Sequence, residues 1–276
     1  MIRCGTWPVG VCTWSLRMEP QQVADALHSL SVEHIHLALR PALESGSERY
    51  LRPFLDARHT ITATMIDFPQ EDYSSLESIR ATGGIAPDQH WQDNRRLFLQ
   101  AVELTSRLAA PYISMHAGFI DLENSDAVQK FCDRIGQLAD AAAQRDIVLL
   151  LETGQENAEQ LKQFLVRLDH PAVAVNFDPA NVILYDKGDP AEAARLLAPW
   201  IKHVHIKDAI RTDTPGTWGT EVPWDKGQVG GEALLLVLKE IGFDGAIAVE
   251  REAGDKRFAD IKSAVESLAR FSLAAG

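Results

Sequence analysis

Four segments in the second half of the chain carry side chains that bind divalent cations at or near the end of an apolar run. Val148-Leu149-Leu150-Leu151 leads into Glu152, Val173 to Phe177 into Asp178, and Ile247-Ala248-Val249 into Glu250, while His205 sits within His203-Val204-His205-Ile206-Lys207. Carboxylates gathered in one place repel each other unless a cation neutralises them. Oxygen donors with one imidazole form a hard to borderline set suited to Mn, Mg or Co, and the lack of a cysteine ligand argues against a structural zinc site. A Lewis-acidic ion beside paired carboxylates is equipped for proton transfer at a carbon next to a carbonyl.

Each residue alone also has a plainer reading. Asp178 before Pro179 makes a good helix N-cap. His205 can be a neutral histidine hydrogen-bonded in a core, and Glu250 can join Arg251 and Glu252 in an ion-pair cluster. Glu152 is a poor N-cap, so its plain reading is weaker. The coincidence on successive segments carries the metal reading. Around it, Lys207 shares a strand face with His205 and can bind a substrate oxygen or pair with an acid. His116 closes Ser114-Met115-His116, and Trp14 can stack on a sugar face or simply pack. His36 and the loop residue Trp218 are weaker candidates.

Bringing those residues together requires eight repeats of one unit. Strands are expected at Val9 to Trp14, His34 to Leu39, Thr60 to Ile66, Tyr112 to His116, Ile147 to Glu152, Ala172 to Asp178, His203 to Lys207 and Ala246 to Glu250. Apolar residues at three-and-four spacing place the clearest helices at Asn94 to Leu108, Asp126 to Arg145, Ala158 to Leu168, Ala191 to Ala198, Gly231 to Ile241 and Phe258 to Ala269. Alternating strands and helices imply a parallel sheet, and eight of them close an α/β (β/α)8 TIM barrel, one domain over residues 1–276. Such a barrel gathers its strand C-termini at one mouth. No GxGxxG or Walker sequence occurs, which argues against nucleotide binding of those types. Two polar stretches, Phe68 to Trp91 and Arg211 to Gly231, follow strand ends and are candidate lids or subunit contacts.

A formal charge of −12 disfavours a nucleic-acid partner. Three cysteines without metal or disulfide spacing fit a reduced compartment. The N-terminus has no signal-peptide pattern and no apolar run reaches the roughly 20 residues that span a bilayer, so a soluble, cytoplasmic protein with no membrane partner is expected.

The runs LLLETG, NFDPAN, HVHIKDAIR and AIAVERE, in this order and across the eight repeats, resemble the xylose isomerase-like barrel superfamily, which includes sugar isomerases, ketose 3-epimerases of the D-tagatose 3-epimerase type, inosose-processing enzymes and endonuclease IV. The resemblance is greatest to proteins called sugar phosphate isomerase/epimerase. It implies one divalent ion, Mn favoured with Mg, Co or Zn as alternatives, held by Glu152, Asp178, His205 and Glu250, with Glu152 and Glu250 also serving as acid and base. It implies a substrate-binding Arg211, six residues after His205. Where the epimerases have a substrate-binding His this chain has Asn181, and where they have a second Glu it has Ala158, with Glu156 as a substitute.

The function expected is a metal-dependent isomerase or epimerase of a small sugar or polyol. A lyase or dehydratase acting on a keto-sugar or inosose by the same enolisation is the alternative, followed by a zinc-dependent AP endonuclease-like enzyme and a non-catalytic sugar-binding protein. Arg211, Lys226 and Arg251 lack a Gly-rich cradle between them, so an unphosphorylated substrate is expected. Superfamily barrels often pair, which makes a homodimer or homotetramer the expectation.

Overall fold

A computed structural model describes residues 1–119 and 121–271; Ile120 and 272–276 of the expected 1–276 span lie outside the described residues. Eight strands form the barrel: β1 (Trp7–Cys12), β2 (His34–Ala38), β3 (Thr60–Met65), β4 (Tyr112–Met115), β5 (Val148–Glu152), β6 (Val173–Phe177), β7 (Ile201–Ile206) and β8 (Ala246–Val249). Each pairs in parallel with its neighbours in sequence, and β8 returns to β1 with Val249 opposite Val11, which closes the sheet. Every residue of β2 and β6 is buried, as parallel strands covered on both faces require.

The helices start where the local chemistry caps them. Asn157 accepts from Gln160 N and Gln160 reaches back to Asn157 N, so Ala158–Leu168 begins with a capping box, on the expected bounds. Asn124 caps Ser125–Ala143 in the same way without the return bond. The strand ends shift more. Trp14 belongs to a 3₁₀ turn, Thr13–Leu16, instead of to the first strand, and Asp178 lies just past β6 as the N-cap of Pro179–Leu184.

The polar stretch Phe68 to Trp91 contains a helix, Leu76–Thr82, started by the Ser75 hydroxyl accepting from Ser78 N. The stretch Arg211 to Gly231 contains the strand Thr220–Val222, which pairs antiparallel with Asp208–Ile210. Both were too short and polar to show periodicity. Gly84 makes the first of these turns, because its φ of +59° and the Ala117 carbonyl carbon 2.1 Å from where a Cβ would lie leave room only for glycine. Among the described residues no helix is long and apolar enough to cross a membrane, and Cys4, Cys12 and Cys132 are free thiols.

Candidate metal centre

Glu152 ends β5, Asp178 follows β6, His205 lies in β7 and Glu250 follows β8. All four are buried, and one donor atom from each lies within 4.8 Å of the donors of the other three. His205 Nδ1 stands 3.5 Å from Glu152 Oε1, 3.8 Å from Asp178 Oδ2 and 3.4 Å from Glu250 Oε2.

The backbone explains why Asp178 and Glu152 are held so firmly. Asp178 Oδ1 accepts from Ala180 N at 2.8 Å and Asn181 N at 3.0 Å, the N-cap role read from Asp-Pro. The Thr153 hydroxyl accepts from Asp178 N and donates to its carbonyl, at 2.8 and 3.0 Å. Capping uses only Oδ1. Asp178 Oδ2 and His205 Nδ1 are both buried without a hydrogen-bond partner. Glu152 accepts from Asn181 Nδ2 and Asn176 Nδ2, each at 3.2 Å. Gly154 permits that approach: a Cβ there would sit 2.6 Å from Asn181 Cβ.

Two unpartnered buried donors facing each other among carboxylates fit a divalent cation. Donors bound to a Mg-sized ion at about 2.1 Å stand roughly 3 to 4.2 Å apart, the range of the three separations above. The charges point the same way. Burial opposes a charged His205, yet the Glu250 and Glu152 carboxylates, with Asp178 beside them, hold its pKa above the ordinary histidine value. Burial would also raise Glu250, but Lys207 and His205 take it well below the usual carboxylate range; Glu152 is lowered despite burial by His116 and His205. Asp178 is raised, since burial outweighs Lys207 and His205. The site holds positive charge wherever it can. Cys12 and His36 lie against His205 as a second group, but burial pushes the Cys12 thiol up to about 12 and His36 down to about 3, so neither is ionised near neutral pH.

Above these residues opens a cleft of about 500 Å³. Lys207 lines it and bonds Glu250 Oε2 at 2.9 Å and Glu252 Oε2 at 2.6 Å, with Asp178 Oδ2 3.6 Å away. Of its two readings, the ion pair is what the structure holds. Trp14 Nε1 donates to Glu250 Oε1 at 2.8 Å, so this indole orients a carboxylate as well as lining the cleft. His116 is on the wall, its Nε2 3.7 Å from Glu152 Oε1; burial lowers its pKa, but Glu152 and Glu71 more than restore it. Asn181 also lines the cleft.

Two expected substrate residues are elsewhere. Arg211 is not on the cleft lining; its guanidinium pairs with Asp186 and donates to the Gly188 carbonyl at 2.6 Å. Glu156 is half-buried off the cleft lining; burial raises the Tyr185 pKa, and Glu156 adds to that rise after Glu152 and Glu252. In their place the cleft presents Arg40, bonded through Nε to Asp67 Oδ2 at 2.7 Å, and Glu252, Tyr73 and Tyr185. Arg40 follows the second strand end and Glu252 lies two residues past Glu250, which are the positions where a barrel exposes function. Behind the donors, Asn176, His36 and His203 join Glu152 and His205 in one hydrogen-bonded group; their signal is a polar residue on a strand buried on both faces.

A family model described as xylose isomerase-like TIM barrel matches residues 21–271. A curated 3-dehydroshikimate dehydratase of Bacillus anthracis is 29% identical over 90 residues, which are 31% of this chain and 31% of that protein's length. A solved xylose isomerase domain protein from Planctomyces limnophilus is 28% identical, covers 97% of both chains and superposes with a TM-score of 0.86. A xylose isomerase-like TIM barrel protein from Mycobacterium smegmatis, solved with magnesium, matches at 16% identity over 98% of both chains with a TM-score of 0.76. An L-ribulose 3-epimerase matches at 15% identity over 98% of this chain and 96% of its own, TM-score 0.71. The last two show the shared fold alone. With the closed barrel and a family model spanning nearly all of it, the chain belongs to the xylose isomerase-like TIM barrel family.

Proposed function

We propose that this chain is a metal-dependent isomerase or epimerase of a small, uncharged sugar or polyol, with Glu152 and Glu250 as the proton-transfer pair. The observation that carries the reading is the meeting of two ionised carboxylates, on β5 and beyond β8, with the unpartnered Asp178 Oδ2 and His205 Nδ1 at the floor of a cleft. Glu152, Asp178, His205 and Glu250 would hold one divalent ion, Mn before Mg, Co or Zn, which supplies Lewis-acid stabilisation of negative charge on a substrate oxygen.

The protein's own groups do the rest. Asn176 and Asn181 hold the Glu152 carboxylate by one bond to each oxygen, while Trp14 and Lys207 each take one oxygen of Glu250. Two orientated carboxylates let one remove a proton beside a carbonyl and the other return it. His116 is placed to share a proton with Glu152. The lining carries Glu44, Asp67, Glu221, Glu250 and Glu252 against Arg40 and Lys207, an acidic balance that repels a phosphate or carboxylate group and favours a neutral polyol. Trp14, Tyr73, Tyr185 and Trp218 offer ring faces to its C–H surfaces.

A dehydratase is the second reading, favoured by the partial match to the 3-dehydroshikimate dehydratase. It uses the same proton abstraction and ends in loss of water. Incubating the Mn-loaded protein with a panel of ketoses in deuterated water tests both: deuterium at the carbon beside the carbonyl, abolished by Glu250→Gln, is expected. Release of an unsaturated product would favour the dehydratase, and no exchange or elimination across the panel would refute the acid–base pair.

A further inference from the structure

His205 presents Nδ1 to Glu152, Asp178 and Glu250, so to hold a cation its ring must keep the lone pair on Nδ1 and the proton on Nε2. Two groups lie within hydrogen-bond distance of Nε2, His36 Nδ1 at 3.0 Å and Asn176 Nδ2 at 3.1 Å, and the neutral Cys12 thiol lies against the same ring. The first two act in opposite directions. Asn176 offers only hydrogens there, because the same Nδ2 lies 3.2 Å from Glu152 Oε2, a carboxylate oxygen that only accepts. Turning the amide over would set Oδ1 against the Glu152 carboxylate. A lone donor at Nε2 would draw the ring proton to Nδ1 and close the lone pair that a cation needs.

His36 supplies the opposing acceptor. Its Nε2 is 2.9 Å from Ser114 Oγ, and Ser114 Oγ donates to the Thr64 carbonyl at 3.1 Å. The other two neighbours of Ser114 Oγ, the Thr64 carbonyl and Met65 Sδ at 3.0 Å, can only accept; with the serine hydrogen given to one of them, the His36 hydrogen sits on Nε2 and His36 Nδ1 is left as an acceptor aimed at His205. The register shift between Ile35 and His36 in β2 lies where this ring is aimed, and His36 is fully buried.

We propose that His36 is the positioning residue that sets the tautomer of His205, with Ser114 fixing His36 in turn, so that Nδ1 is open to the cation. The metal role of this tautomer rests on the four-donor reading above; the tautomer itself does not.

The test compares the wild type with His36→Leu, which removes the acceptor, and His36→Asn, whose side-chain oxygen can take the place of Nδ1. Mn affinity is measured by calorimetry, folding by circular dichroism, and the His205 ring by ¹⁵N NMR on the metal-free protein at a pH above its titration. His36→Leu is expected to weaken Mn binding by about 10- to 100-fold, as loss of a partner to a ligating histidine does. It is also expected to move the His205 proton from Nε2 to Nδ1. His36→Asn is expected to stay within about threefold of the wild type in affinity and to keep the proton on Nε2. A wild-type ring that, in its neutral form, carries its one proton on Nδ1, or a folded His36→Leu protein with unchanged tautomer and affinity, overturns the proposal. A wild type that binds no Mn yet keeps its proton on Nε2, and loses it in His36→Leu, supports the tautomer role and refutes the metal reading instead.

Discussion

Cation binding at this site must displace a proton, and the perturbation that exposes it is pH. His205 Nδ1 is one of the four donors, and the surrounding acids keep its pKa well above the ordinary histidine value. In the metal-free protein the ring therefore stays protonated to higher pH than a free histidine, and a metal that binds Nδ1 must replace the proton it carries there. Glu152 and Glu250 are shifted down and are already ionised there, and His36 and His203 are held neutral by burial. One proton exchanged in full changes the binding constant about tenfold per pH unit, or about 1.4 kcal/mol. Mn affinity is expected to fall about 100-fold from pH 8 to pH 6. Further into acid, as pH falls towards the raised pKa of Asp178, a second proton adds to the slope. Calorimetry in two buffers of different ionisation enthalpy counts the protons directly. His116, 3.7 Å from Glu152, also has a raised pKa, so His116→Gln serves as the control that should leave most of the slope in place. Affinity independent of pH, or binding with no proton release, would refute Nδ1 as a donor.

Asp178→Asn separates the two roles of one side chain: asparagine caps a helix as well as aspartate, so thermal unfolding should shift by less than about 1 kcal/mol, while Mn affinity drops at least tenfold. A melting loss of several kcal/mol with unchanged Mn binding would reverse the assignment. Arg40→Ala against Arg211→Ala asks which arginine meets substrate. Arg40 lines the cleft and Arg211 is tied to Asp186, so KM should rise roughly tenfold for the first, the size of one charge-assisted hydrogen bond, and under about twofold for the second; the opposite ranking would show that the loop after β7 swings Arg211 inward.

The barrel and the four donors could be read in the sequence because both are written locally. An apolar run that ends in an acid marks a buried strand and its C-terminal end at once, and Glu152, Asp178 and Glu250 stand at such ends. Asp178 shows the limit of that reading, because capping and coordination looked like alternatives. They divide between its two oxygens, Oδ1 on the helix and Oδ2 turned to His205 and Lys207 without a hydrogen bond. Arg211 shows another limit. Its spacing from His205 measures distance along the chain, but the Asp208–Ile210 and Thr220–Val222 hairpin sets where that chain goes, and it carries Arg211 to Asp186.

Less legible is the half of the barrel that supplies no donor, where the sequence marks His36 only as a weak candidate and assigns Ser114 no role. β2 and β4 contribute His36 and Ser114, which lie 169 and 91 residues from His205 and touch no cation. A polar residue in an apolar strand is an anomaly without an address until closure brings its partner across the barrel. Closure also changes what the anomaly means. An unpaired histidine buried in a core costs stability, whereas one whose two nitrogens are both bonded, to His205 and to Ser114, instead orders the hydrogens of its neighbours. A single arc of strands could collect the four donors, but only the closed ring can also direct the proton of His205 away from them.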